Sequence, residues 1–155
     1  MRAVLLVVVL VATSCGLFSD SGPTRDDDGV VVESGTLRAF DLLLGDCFND
    51  PGSGEVEVVL VVPCVEPHDF EVYHVFMLDD GPYPGPAVIE DEWIEGCLAE
   101  FEPFVGVSFD VSVLDMSAIF PTRQSWDELD DRVVLCSVTA VDGEPRAGSA
   151  RGSND

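Results

Sequence analysis

The sequence predicts an α+β domain: a small antiparallel sheet of about five strands, one main packed helix and two disulfides. Three observations carry that prediction. Short β-prone runs are separated by Gly/Pro turns. One stretch repeats its apolar residues at helical spacing, with Ile89, Trp93, Cys97 and Phe101 four apart. Five cysteines leave four for pairing once the first is assigned to the N-terminal region.

The elements follow in order. Residues 37–48 are apolar but broken by Asp41 and Gly45-Asp46, giving one short strand or an extended lead-in. Residues 49–54 (NDPGSG) form a turn. Residues 56–63 are strand-like, and Pro63 stops them. Glu66-Pro67-His68 turns the chain into 69–78, where Phe70, Val72, His74 and Phe76 share one face and Glu71, Tyr73, Val75 and Met77 the other. Pro86 suits a first helical position, acids at 90–92 favour the start of a helix, and Pro103 ends it near Glu102. Residues 111–120 read as a strand, 125–128 as one helical turn, and 132–141 as the closing strand. Short connections favour antiparallel neighbours with the helix lying on the sheet.

The chain has 155 residues, room for one domain, and its 30 acids against 7 bases give a formal charge of −23. The bases are all arginine. This balance excludes non-specific nucleic-acid binding, which requires cationic groups to displace phosphate counterions. It equally opposes a basic footprint on anionic lipid. Residues 3–12 (AVLLVVVLVA) form an uncharged apolar run behind Arg2. A spanning helix needs about 20 such residues, so this run reads as the core of an export signal, residues 1–14. Ala12-Thr13-Ser14-Cys15 resembles a lipobox, which implies cleavage before Cys15 and acylation of its thiol. A soluble secreted module cut at the same bond is the alternative. Two or three acyl chains make a durable anchor where one is marginal. Residues 15–35, rich in Gly, Ser, Pro and Asp, read as a tether; 36–142 as the folded unit; and 143–155 as a loose tail.

Cys47, Cys64, Cys97 and Cys136 are spaced by 17, 33 and 39 residues, without a Cys-x-x-Cys pair. That spacing argues against a compact zinc site and for two disulfides in an oxidising compartment, each worth about 3–4 kcal/mol. Three pairings are open. Cys47–Cys64 with Cys97–Cys136 is favoured, against one objection: a tight hairpin around Gly52 places Cys47 opposite Glu57 or Val58 rather than Cys64.

Two further groups are candidates for an interaction surface. His68, Asp69, Glu71 and His74 lie within seven residues and offer metal-binding or acid–base chemistry. The histidines, six residues apart in a strand, are about 20 Å apart and cannot share an ion. Asp69 and Glu71 share a face, which is commonplace; the plainer reading has His68 fastening the turn and Glu71 meeting an arginine. Trp126 and Arg132 favour recognition surfaces, but the preferred reading has Trp126 plugging an end of the core while Arg132 pairs with a buried carboxylate such as Asp46. No nucleophile elbow, phosphate loop or dinucleotide fingerprint is present, and no cofactor, metal ligand set or catalytic residue is assigned.

The ordered set Gly45-Asp46-Cys47-Phe48, Val62-Pro63-Cys64, Pro67-His68-Asp69, Glu71-Val72, Cys97, Pro121-Thr122, Ser125-Trp126, Asp131-Arg132-Val133 and Cys136 resembles the septum formation-related domain of actinobacterial exported proteins. The resemblance spans about residues 43–138. Asp130 departs from it, since glycine usually precedes Asp-Arg in that family, and this bears on the local turn. The resemblance implies a link to cell division and carries no catalytic residues. The expected protein is a non-enzymatic, lipid-anchored binding or scaffold domain on the outer face of the cytoplasmic membrane, with an envelope or division protein as partner. The alternative is a metal-binding or hydrolytic protein using His68, Asp69 and Glu71.

Overall fold

A computed structural model describes residues 22–49 and 58–155. The export signal, Cys15 and most of the 49–54 turn lie outside the described residues. Strands β1 (Thr24–Arg25) and β2 (Val31–Glu33) form a small antiparallel hairpin. The main sheet has six strands: β3 (Gly35–Arg38), β4 (Cys47–Asn49), β5 (Val58–Val62), β6 (Phe70–Met77), β7 (Leu114–Ile119) and β8 (Val133–Ala140). Their order is β3-β5-β4-β6-β8-β7, and every neighbouring pair is antiparallel. Helices α1 (Pro86–Val105) and α2 (Arg123–Leu129) complete the fold. The α+β class holds, with one more strand in the main sheet than expected.

Each face of the sheet carries its own apolar cluster. On one, Ile89, Cys97, Phe101, Phe104 and Val105 of α1 pack onto Tyr73, Val134, Cys136 and Val138. On the other, Val31 of the hairpin joins Leu42, Phe48, Val59, Val61, Val72 and Leu135. The single alternation expected along β6 fails at its middle. Val72 opposes Ser137 and His74 opposes Cys136, so two residues of β6 advance against one of β8. This bulge inverts the side-chain parity. Val72 therefore belongs to the second cluster, while Tyr73 and Phe76 both meet the first. A two-residue period assumes an unbroken ladder, which the sequence alone does not guarantee.

The spacing of Ile89, Cys97 and Phe101 places their side chains on the buried face of α1, and Pro86 opens the helix as expected. Pro103 does not end it. Proline removes the N–H that would reach the Ala99 carbonyl and crowds that carbonyl, and the burial of Phe104 and Val105 outweighs this in the last turn. The helix stops at Gly106, in the left-handed conformation at φ 99°, whose N–H donates to the Glu102 carbonyl. At Gly96 a Cβ would lie 2.6 Å from the Phe76 ring, so glycine permits the close approach of α1 to β6. Beside it the Tyr73 hydroxyl donates to the Cys97 carbonyl at 2.7 Å. Burial pushes that hydroxyl well above its ordinary pKa, with Glu100 adding to the effect, so it stays a donor.

The disulfides are Cys47–Cys64 and Cys97–Cys136, the favoured pairing. The objection dissolves in the register. Cys47 opposes Val62 and Asn49 opposes Leu60, so the hairpin is centred beyond Gly52 and brings Cys47 near Cys64 without leaving the sheet.

Both expected loose segments are corrected. The second half of the 15–35 tether forms the β1–β2 hairpin and ends at β3. The 143–155 tail is packed as a strap along the body. Local composition is polar in both, but each carries arginine or small residues that meet partners elsewhere in the chain.

Candidate functional site

The chemistry-bearing residues separate into two corners. The first is built around Glu71, in β6 opposite Cys47 and Val138. Its side chain is 3% exposed. The Ser149 hydroxyl donates to Oε1 at 2.5 Å and the Ala150 N–H to Oε2 at 2.6 Å. Glu71 thus meets the strap, not an arginine as the plainer expectation had it. The strap continues by main-chain contacts. Arg146 exchanges both backbone hydrogen bonds with His68, at 2.9 Å each. The N–H groups of Gly148, Gly152 and Asn154 donate to the carbonyls of Cys64, Phe104 and Val105. Ala150 is fully buried in the first cluster, and the Arg151 guanidinium lies 4.6 Å from the Phe104 ring centroid.

His68 is 1% exposed. Its Nδ1 lies 2.8 Å from the Glu66 carbonyl, an acceptor, so Nδ1 carries the proton and closes the turn across Pro67. Its Nε2 is buried with no hydrogen-bond partner among the described residues. The Asp69 N–H donates to Asn49 Oδ1 at 3.1 Å, just before β6 begins. Cys47, Cys64 and Glu71 bring one ligand atom each within 4.8 Å of one another. The two sulfurs are joined to each other and hold no thiolate, and the carboxylate already accepts from the strap. This corner is assembled as a fastening rather than as a coordination sphere.

The second corner contains Trp126 and Arg132. The Arg132 guanidinium lies 3.8 Å from the Trp126 ring centroid. Its Nη1 donates to the carbonyls of Trp126 and Asp131, and its Nη2 lies 3.0 Å from Asp130 Oδ1. Its Nε is 3.6 Å from Asp80 Oδ1, beyond hydrogen-bonding distance. Trp126 donates its indole N–H to the Gly81 carbonyl at 2.9 Å and sits in the first cluster. Both side chains are buried, so they latch the 79–85 loop to α2 and β8 and offer no open platform. The plug expected of Trp126 is present. The expected Arg132–Asp46 pair is not: Asp46, 2% exposed, holds Arg25 by two contacts of 2.6 and 2.7 Å.

Local sequence explains the second corner. Thr122 caps α2 by accepting from the Ser125 N–H, and the Ser125 hydroxyl accepts from the Thr122 N–H. The same Ser125 hydroxyl donates to Asp131. Asp130 closes the helix in the left-handed conformation at φ 56°, the geometry that glycine adopts without a Cβ penalty. The departure at Asp130 therefore keeps the turn.

Sequence reasoning missed the strap and Arg25. A signal was available. In a chain with only 7 bases, Arg25, Arg146 and Arg151 all fall in segments that composition marks as loose. A scarce cation in so acidic a chain finds a partner.

Residues 44–154 match a family model described as septum formation. No curated protein and no solved structure matches the chain.

Proposed function

Because this chain belongs to the septum formation family, whose model spans its residues 44–154, we propose that it is a cell-envelope binding or scaffold domain that acts by recognition rather than by catalysis, anchored through lipid on Cys15. The family match is the observation that carries the septum-related part. The apolar run at 3–12 and the small residues before Cys15 support the anchor. No helix among the described residues is long and apolar enough to cross a membrane. The hairpin shortens the tether: from Cys15 to Thr24 the chain spans at most about 30 Å, so the domain rides close to the bilayer. The partner on this reading is another envelope or division protein.

The metal-binding or hydrolytic alternative draws no support from Glu71, both of whose oxygens already accept hydrogen bonds. Metal titration of the purified domain tests it: calorimetric uptake abolished by His68→Ala revives that reading. The anchor is tested by palmitate labelling and membrane partitioning of the Cys15→Ala variant. Loss of label and release from the membrane are expected. Unchanged partitioning removes the anchor, and mass spectrometry of the mature N-terminus then separates a secreted module from a retained leader. Crosslinking in the native envelope tests the scaffold role, with recovery of a division or wall-assembly protein as the expected result.

A further inference from the structure

The strap is bound as a peptide ligand is bound. Its hydrogen bonds fall on groups from four separate parts of the body: the carbonyl of Cys64 and both backbone groups of His68, the Glu71 carboxylate, the carbonyls of Phe104 and Val105 at the end of α1, and the Ser112 hydroxyl, which donates to the Asp155 carbonyl. Five of these seven groups are main chain and read backbone rather than particular side chains, along a strap that bends at Gly148 and turns at Arg151-Gly152, both glycines being left-handed. The carboxylate adds one requirement, a hydroxyl followed by a free N–H, which Ser149 and Ala150 meet. Only a small side chain fits at Ala150, which is completely enclosed.

Two features distinguish the strap from a permanent piece of the core. Ala150 is its one buried residue; every other position of 141–155 is exposed or half-exposed. The strap therefore contributes little apolar surface of its own to the core. Its charge also differs from the body. Within 143–155, Arg146 and Arg151 balance Glu144 and Asp155, so the whole formal charge of −23 resides elsewhere. A neutral, arginine-bearing segment lies on an acidic body, and complementarity of this kind favours encounter.

We propose that this corner is a peptide-docking groove whose resident occupant is the chain's own C-terminal strap, and that it accepts in its place an arginine-bearing segment of a partner protein that follows the same bent path, with a hydroxyl residue followed by a small one. This gives a site to the binding role proposed above and rests on that reading. Release of the strap frees both oxygens of Glu71 and the backbone N–H and carbonyl of His68. The strap then sets the threshold for partner binding, since a partner segment must compete with it.

The test uses the full mature chain and a fluorescent peptide with the sequence of residues 143–155. Saturable binding by anisotropy is expected. Ser149→Ala in the chain weakens the resident strap and is expected to tighten peptide binding at least three-fold. Ser149→Ala in the peptide is expected to weaken it by a similar factor. Those opposite signs are the signature of competition at one site. Absence of binding to both chains overturns the proposal. Hydrogen exchange on the unaltered chain decides independently of any variant. Exchange of the Ala150 amide well ahead of the central amides of β8 supports a displaceable strap, and exchange of both at the same rate overturns it. Envelope crosslinking that recovers a partner while the peptide fails to bind places the failure in the groove and leaves the binding role intact.

Discussion

At the N-terminal end of the described chain Arg25 reaches Asp46; at the C-terminal end Ser149 and Ala150 reach Glu71. Both carboxylates are at most 3% exposed, and each secures a segment that contributes to a cluster on a different face of the sheet, Val31 on one and Ala150 on the other. The fastenings differ in kind. Asp46 is neutralised by a bidentate guanidinium, with the Leu43 N–H as a further donor. Its hydrogen bond also draws the Arg25 guanidinium further into its charged range. Glu71 is met by two neutral donors, a hydroxyl and an amide. A charged clamp resists removal of one partner, because the other charge is then stranded. A clamp of neutral donors is worth less and releases more readily. The N-terminal hairpin is thus the firmer of the two attachments, and the strap the one able to exchange.

The largest test of this contrast is Arg25→Ala. It leaves the buried Asp46 carboxylate without its cation and is expected to cost about 2–4 kcal/mol in urea unfolding, towards the lower end because Arg25 keeps 22% exposure. The double variant Arg25→Ala/Asp46→Asn removes the stranded charge and is expected to recover part of that loss. A double variant less stable than the single one contradicts an ionic clamp. Glu71→Gln comes next. The amide retains one acceptor and turns a donor towards the strap, with an expected cost of about 1–3 kcal/mol and faster exchange at Ala150. Equal or greater loss than for Arg25→Ala reverses the ranking of the two ends.

Gly106→Ala is expected to cost about 1–2 kcal/mol in thermal unfolding. Its φ of 99° disfavours a Cβ, and that atom would lie 2.8 Å from Asn154 Oδ1 in the strap. The smallest effect is that of acid on the strap. A hydrogen bond from Arg146 holds the Asp155 carboxyl below its ordinary value. A lowered folded pKa gives stabilisation that is complete above the ordinary Asp value, about 3.9, and is lost as the pH falls through the folded value. Strap amides are expected to exchange faster relative to β8 amides below that pH, with a modest change because Asp155 is half-exposed. A constant ratio from neutral pH to pH 3 removes the Arg146–Asp155 contribution.

Helix α1 was legible because its signal is local: four-residue spacing of Ile89, Cys97 and Phe101 reports one buried stripe, and Pro86 marks the start. Its end was not, since the burial of Phe104 and Val105 carries the helix past Pro103. An even set of four cysteines was legible from parity, but the choice among three pairings was not, because it depends on the register in which Cys47 opposes Val62. At the candidate site the identities of His68, Glu71, Trp126 and Arg132 were legible as chemistry, but their partners were not. Trp126 and Arg132 read preferentially as a plug and an internal ion pair, with a platform as the alternative, and their burial decides for the interior. Along β6 the pattern on either side of Tyr73 is regular; the bulge between Val72 and His74 is invisible because it depends on how β8 is matched against it.

The sequence by itself determined the α+β class, the position of the main helix and an even set of four cysteines, all of which arise from spacing and composition within the chain. Only the tertiary structure decided which carboxylate holds which segment, where β6 changes face, and that the 24–33 hairpin and the 143–155 strap are both fastened to the body. The physical reason is range. Periodicity and turn chemistry act over a few residues, whereas Arg25 meets Asp46 across 21 residues and Ala150 meets Glu71 across 79. Those encounters depend on where the sheet carries the chain, which no local pattern records.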